Sequence, residues 1–172
     1  MLTHHPKPVC LSIISTDLPV WSVVETSGTL YQKDKDRFHL LLNAPPLITC
    51  EVGNTSISTE EDTSNRNKNN IYIPSSPRLL WLEISPYRVT MTMQGNSQVS
   101  YRHFWEKGIY GVSRYWLPTE SLKPYQPVRL RNFTKVLHLG GYPLPEQLRL
   151  EYELWGEKVQ LGSYILNLSI QH

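Results

Sequence analysis

Cysteine is scarce in this chain: Cys10 and Cys50 are the only two among 172 residues. No Cys-x-x-Cys pair exists, which removes the usual thiolate metal sites. Both cysteines lie in apolar, strand-like surroundings and read as small buried hydrophobes. A disulfide between them would need Cα atoms within about 7 Å. Charge is also sparse, at 19% of residues against 40% hydrophobic, so disorder is not the general state. No apolar run approaches the roughly 18–20 residues that span a bilayer as a helix. The segment Met1–Cys10 carries His4, His5, Lys7 and two prolines and does not read as a secretory signal. The default expectation is a cytoplasmic protein without membrane insertion, a removed leader being left open. The Asn-x-Ser/Thr triplets at Asn54, Asn132 and Asn167 are therefore read as coincidence. Sustained i, i+3, i+4, i+7 spacing is missing as well. Helix is reduced to a possible turn after Pro118, where Thr119 could cap.

What is present points to strands. Ten tyrosines, five tryptophans and thirteen prolines favour pleated, edge-protected surfaces. At 172 residues the expectation is one β domain over 1–172, burying about 70% of its unfolded surface. Period-two alternation recurs along the chain. Leu148, Leu150, Tyr152 and Leu154 oppose Arg149, Glu151, Glu153 and Trp155, and a turn at Gly156-Glu157 leads to a second strand. In that strand the apolar parity changes between Leu161 and Tyr164, which predicts a bulge near Gly162. Tyr87–Met93, 80–84, 128–131 and 137–139 are further strands. So are 9–15, 20–25, 28–32, 37–42, 46–52, 71–73, 98–104 and 110–117. Residues 53–70, GNTSISTEEDTSNRNKNN, have almost nothing to bury and are predicted to be a disordered polar loop within the domain.

Gly162-Ser163-Tyr164-Ile165-Leu166-Asn167-Leu168-Ser169-Ile170 resembles the closing strands of immunoglobulin-like and fibronectin-like sandwiches. The nine residues support that architecture without defining a family. The expectation is an all-β antiparallel two-sheet sandwich, with a closed β-barrel as the alternative.

Catalytic signatures fail one after another. Gly111-Val112-Ser113-Arg114-Tyr115 starts like a nucleophile elbow, but Tyr115 occupies the second glycine's place and no helix follows. His39, His103 and His138 each fall within a strand. His103 and Glu106 form one isolated His-x-x-Glu pair, so no metal site is expected. Glu151 and Glu153, about 7 Å apart on one strand face, share that face with Arg149 and read as a solvated ion pair. Gly140-Gly141 is followed by Tyr142-Pro143, a turn rather than a phosphate loop. No cofactor is expected.

One region stands out. Residues 101–138 hold Tyr101, Phe104, Trp105, Tyr110, Tyr115, Trp116, Tyr125 and Phe133, with seven Lys or Arg against Glu106 and Glu120. Cations and ring faces together can hold anionic or planar partners, or they can be core and rim. The candidate binding residues are Arg102, Arg114, Tyr115, Trp116, Arg129, Arg131 and Trp155. The expected function is a non-enzymatic protein-interaction or assembly module, since Tyr, Trp and Arg dominate interface hot spots. The alternative is a binder of single-stranded nucleic acid or of an anionic planar ligand. An enzyme using His103 or His138 ranks third.

Overall fold

Alternating residues build ten strands. They are β1 (Lys7–Ser15), β2 (Trp21–Asp34), β3 (Arg37–Ala44), β4 (Arg78–Ile84), β5 (Arg88–Gln94), β6 (Ser100–Glu106), β7 (Tyr110–Trp116), β8 (Val128–Gly140), β9 (Gln147–Trp155) and β10 (Gln160–Ile170). The computed structural model describes residues 5–44, 78–94, 100–117 and 127–172. The expected polar loop at 53–70 and the strand candidates 46–52 and 71–73 lie outside the described residues.

All neighbouring strands run antiparallel, in the order β1-β10-β9-β8-β7-β6-β5-β4-β3-β2, and the sheet closes on itself. The architecture is an up-and-down barrel, where a two-sheet sandwich had been expected. The seam decides between them: Val9 through Ser15 on β1 pair with Ile170 through Tyr164 on β10. That seam satisfies the two edges an open sheet would leave exposed. The segment resembling a sandwich's closing strands is thus the barrel's last stave. Its alternation is the same in both architectures.

Closure makes one face of every strand the lumen. Val9 and Leu11 of β1, Phe38, Leu40 and Leu42 of β3, and Leu80, Leu82 and Ile84 of β4 point inward. So do Val89, Met91 and Met93 of β5, Leu148 and Leu150 of β9, and Leu166, Leu168 and Ile170 of β10. Each such side chain taken fully from water contributes about 1.5–3 kcal/mol before chain entropy is charged against it.

Two irregularities set which side chains reach the lumen. Between Gln160 and Gly162 the register of β10 slips by one residue, leaving Leu161 exposed and Gly162 buried. Tyr164 then points inward, its phenol lying over Gly162, where a Cβ would come within 2.8 Å of the hydroxyl. A second slip between Thr134 and Val136 lets both Thr134 and Leu137 face inward along β8. Without these bulges, half of each strand would present its polar residues to the core.

Candidate functional site

The outer face of β6, β7 and β8 brings three of the predicted residues into one line. Arg102 is directly opposite Arg114, and Arg114 is directly opposite Arg129. Like charges so placed, roughly 4.5–5.5 Å apart at the backbone, repel. Among the described residues no carboxylate lies within ion-pair distance of any of the three. The nearby acids are engaged elsewhere: Glu106 holds Arg88 at 3.2 Å, Glu153 pairs with Lys135, and Glu151 binds Arg149 at 2.7 Å. The hydrogen bond from Lys135, foremost, holds the Glu153 carboxyl below its ordinary range.

The other predicted residues divide. Arg131 sits one position along β8, opposite Val112 and Trp155. Its guanidinium lies 5.3 Å from the Tyr110 ring centroid and donates to the Glu157 carbonyl at 3.1 Å. Trp155 faces outward and is half-buried, its Nε1 donating to Glu153 Oε2 at 3.1 Å. Trp116 is half-buried on the same outer face, across from Ser100. Tyr115 does not belong to this surface. Successive strand residues point to opposite faces, and the register that turns Arg114 outward turns Tyr115 into the barrel.

Inside, a polar group missed by the sequence reading occupies the lumen between β6 and β8. His103 Nδ1 lies 2.8 Å from Ser113 Oγ, and Asn132 Nδ2 donates to the same oxygen at 2.8 Å. Asn132 Nδ2 also donates to the Phe104 carbonyl at 3.1 Å, which fixes the orientation of the amide. Gly111 permits this approach: a Cβ there would sit 2.1 Å from the Phe104 carbonyl oxygen. His103, Ser113, Asn132 and Thr134 are all buried. Burial lowers the His103 pKa from 6.5 to about 4, keeping the imidazole neutral at neutral pH. A serine beside a histidine is the elementary nucleophile–base pair. Here Ser113 has no solvent exposure and its base is weakened, so the group is arranged as a core network. His138, the other histidine considered for catalysis, is exposed on the outer face opposite Arg149.

Around His103 the lumen is aromatic. Trp105 stacks on the imidazole at 4.8 Å, Tyr101 lies 5.0 Å away, and Tyr115 meets it edge-on at 5.3 Å. Tyr152 packs on Trp105 at 5.0 Å and stacks on Tyr164 at 5.4 Å. Burial raises the pKa of all four tyrosines above the ordinary phenol range. Mutual proximity adds to it, Tyr101 and Tyr164 acting on Tyr115, and Tyr115, Tyr164 and Tyr101 acting on Tyr152. All four residues lie toward the end of the barrel where β4 and β6 begin and β5 and β7 finish. Arg78, the first residue of β4, points inward there and donates to Met93 Sδ at 3.3 Å. That these rings meet was not legible beforehand, because Tyr101, Tyr115, Tyr152 and Tyr164 come from four different strands.

A shallow outer groove of about 520 Å³ lies at the opposite end, between the β2–β3 hairpin and the β4–β5 turn. Its charges of both signs, Arg37, Arg88, Asp36, Glu83 and Glu106 among them, largely neutralise one another. Among the described residues no group of three His, Cys, Asp or Glu is placed to hold a metal ion. Cys10 is a half-buried free thiol on the outer face, where a buried one had been expected; Cys50 lies outside the described residues. No helix among them is long and apolar enough to cross a membrane.

The barrel defines an all-β antiparallel protein. No family model and no curated protein matches the chain. Among solved structures it is similar to the ywiB protein of Bacillus subtilis, with 15% identity and a TM-score of 0.52. That match covers 97% of this chain and 94% of the other. At this identity the likeness shows the fold alone. A conserved hot dog-fold protein of unknown function from Alicyclobacillus acidocaldarius aligns at 10% identity over 100% of this chain and 81% of its own. Its TM-score of 0.20 is too low to relate the two folds.

Proposed function

We propose that this protein is a non-enzymatic docking module that receives an acidic segment of a partner protein on the outer face of β6–β8. The observation that carries the reading is the line Arg102–Arg114–Arg129, three guanidinium groups in adjacent register with no described carboxylate among them. Such a row costs the isolated protein repulsion that a polyanionic partner relieves. Guanidinium forks match carboxylates bidentately, and the adjacent Trp116 supplies an amphipathic ring at the edge of the row. The Arg131 guanidinium, 5.3 Å from the Tyr110 ring centroid, adds a further cation on the same face of β8.

The test is a titration of the purified full chain with a glutamate-rich peptide and, separately, with oligothymidylate. Expected is salt-sensitive peptide binding that weakens at least about tenfold in Arg114→Glu, the loss of a charge-assisted contact. Unchanged peptide binding in Arg102→Glu, Arg114→Glu and Arg129→Glu together sinks the proposal. Tighter binding of oligothymidylate with a steep salt slope would instead favour single-stranded nucleic acid as the partner.

A further inference from the structure

The groove of about 520 Å³ between the β2–β3 hairpin and the β4–β5 turn lies clear of the outer arginine row, at the end of the barrel where β2, β4 and β6 finish. Its volume falls within the roughly 300–1,000 Å³ of small-molecule sites. His39, Glu83 and Thr90 stand side by side on β3, β4 and β5 and form its floor. That floor is held in place. The His39 ring lies against Trp81 with centroids 5.5 Å apart, and Thr90 is buried although it faces outward. Tyr87 supplies a wall. Its turn is pinned by Ser85, whose backbone N–H and hydroxyl both donate to the Arg88 carbonyl at 2.9 Å. The Tyr87 carbonyl in turn accepts from the Lys107 N–H at 3.2 Å, while its ring is 75% exposed.

The groove is nearly neutral as a whole, yet its charges are not all consumed by one another. Arg88 is held by Glu106 at 3.2 Å and lies over the Phe104 ring at 5.1 Å. Arg37 meets only Asp34, at 3.8 Å with both side chains largely exposed, a contact loose enough to yield. Lys33 on the same hairpin, and Glu83 half-buried on the floor, make no ion pair or hydrogen bond with any described residue. Asp36 sits at the exposed tip as the hairpin's own acid against those two cations. A lone anion in the groove would stand over Glu83, and a lone cation would meet Lys33 and Arg37. A ligand with both charges is matched at both ends. Arg37 precedes His39, the cross-strand neighbour of Glu83, by two residues, a diagonal of about 7–8 Å between backbones. Charges so separated suit a molecule whose ammonium and carboxylate have a peptide unit between them.

We infer that this groove binds a short peptide with free termini. The ammonium sits on the Glu83 carboxylate beside the Thr90 hydroxyl, the terminal carboxylate reaches Arg37 and Lys33, and a side chain packs on the Tyr87 ring.

Isothermal titration of the full chain with alanyl-phenylalanine tests this, with its N-acetyl and C-terminal amide derivatives as comparators that each lack one charge. Saturable binding of the free dipeptide is expected, weakened at least about tenfold in Glu83→Gln and in Arg37→Gln. Lys158→Gln, in the exposed β9–β10 turn at the other end of the barrel, is expected to leave binding unchanged. In the unaltered chain the Tyr87 ring and Thr90 methyl resonances should shift on binding while those of the exposed Tyr142 stay in place. That readout does not depend on any variant folding. No saturable binding of the dipeptide up to about 10 mM overturns the inference. So does equal binding of either blocked derivative, or full retention of binding in both Glu83→Gln and Arg37→Gln. No residue of the outer arginine row lines the groove, so this result and that of the acidic-peptide titration stand or fall separately.

Discussion

His103 and Ser113 face each other from adjacent strands, imidazole Nδ1 and hydroxyl oxygen 2.8 Å apart, and Asn132 closes the group from the third strand along. Three polar side chains so buried are tolerated because each finds a partner in the others. The group ties β6, β7 and β8 together where β7 leaves direct register with β6. It also makes stability sensitive to acid.

Burial holds the folded His103 pKa at about 4, against 6.5 when exposed. Between those values the unfolded chain takes up the proton and the folded one does not, so stability rises with pH. The contribution is complete above about pH 6.5 and is lost as pH falls toward 4, amounting to about 3 kcal/mol. Urea unfolding at pH 7 and pH 4.5 checks the sign. His103→Gln should lower stability at pH 7 and show a shallower loss on acidification than the wild-type chain. An equal slope in both proteins would place the acid sensitivity elsewhere.

Gly111→Ala should be among the more damaging single-methyl additions. The new Cβ would stand 2.1 Å from the Phe104 carbonyl oxygen and 2.8 Å from Asn132 Oδ1. Backbone is on one side, so no flexible side chain can yield. A loss of about 2–3 kcal/mol is expected, at the upper end for overpacking, read as a lower denaturation midpoint with unchanged m-value.

Leu150 has no solvent exposure and lies opposite Leu166 and Leu137 on its two neighbours. Leu150→Ala should cost about 3–4 kcal/mol through lost transfer energy and a residual cavity. Ile14→Ala, on the outside of β1, should cost under about 1 kcal/mol. Similar costs at both positions would contradict the assignment of lumen and exterior.

Arg114→Gln should leave the free protein as stable as before or raise its melting temperature by a degree or two, because the central charge of the row is removed. The gain should shrink in about 0.5 M salt, where exposed charges are screened. Destabilisation at low salt would mean that Arg114 has a favourable partner.

Much of the strand content was readable beforehand. Leu148 to Leu154 alternate so regularly that their inward face needs no structure to assign. The shift at Gly162 was legible too, as a parity change between Leu161 and Tyr164. The slip between Thr134 and Val136 was not. Lys135 there breaks the alternation without a glycine to mark it, so β8 read as two short strands. Likewise 20–25 and 28–32 proved to be one long β2, with Gly28 packed against Leu42 inside it. Of the candidate residues, Arg102, Arg114 and Arg129 were singled out by type and charge. Their alignment needed a register that local sequence does not contain. Asn132 was passed over as part of a coincidental Asn-x-Ser/Thr triplet, and Tyr101, Tyr152 and Tyr164 as ordinary core.

Period-two hydrophobicity determined that this chain is antiparallel β and which residues of most strands are inside, because a pleated strand exposes alternate side chains to opposite faces. It could not determine whether the sheet folds into two layers or closes, since both bury one face equally well. That choice was made by the β1–β10 pairing, a contact between the two ends of the described chain. The same closure sent Arg114 to the surface and its neighbour Tyr115 into the lumen. It thereby separated the basic and aromatic residues that lie mixed along the sequence into an outer charged row and an inner ring of phenols.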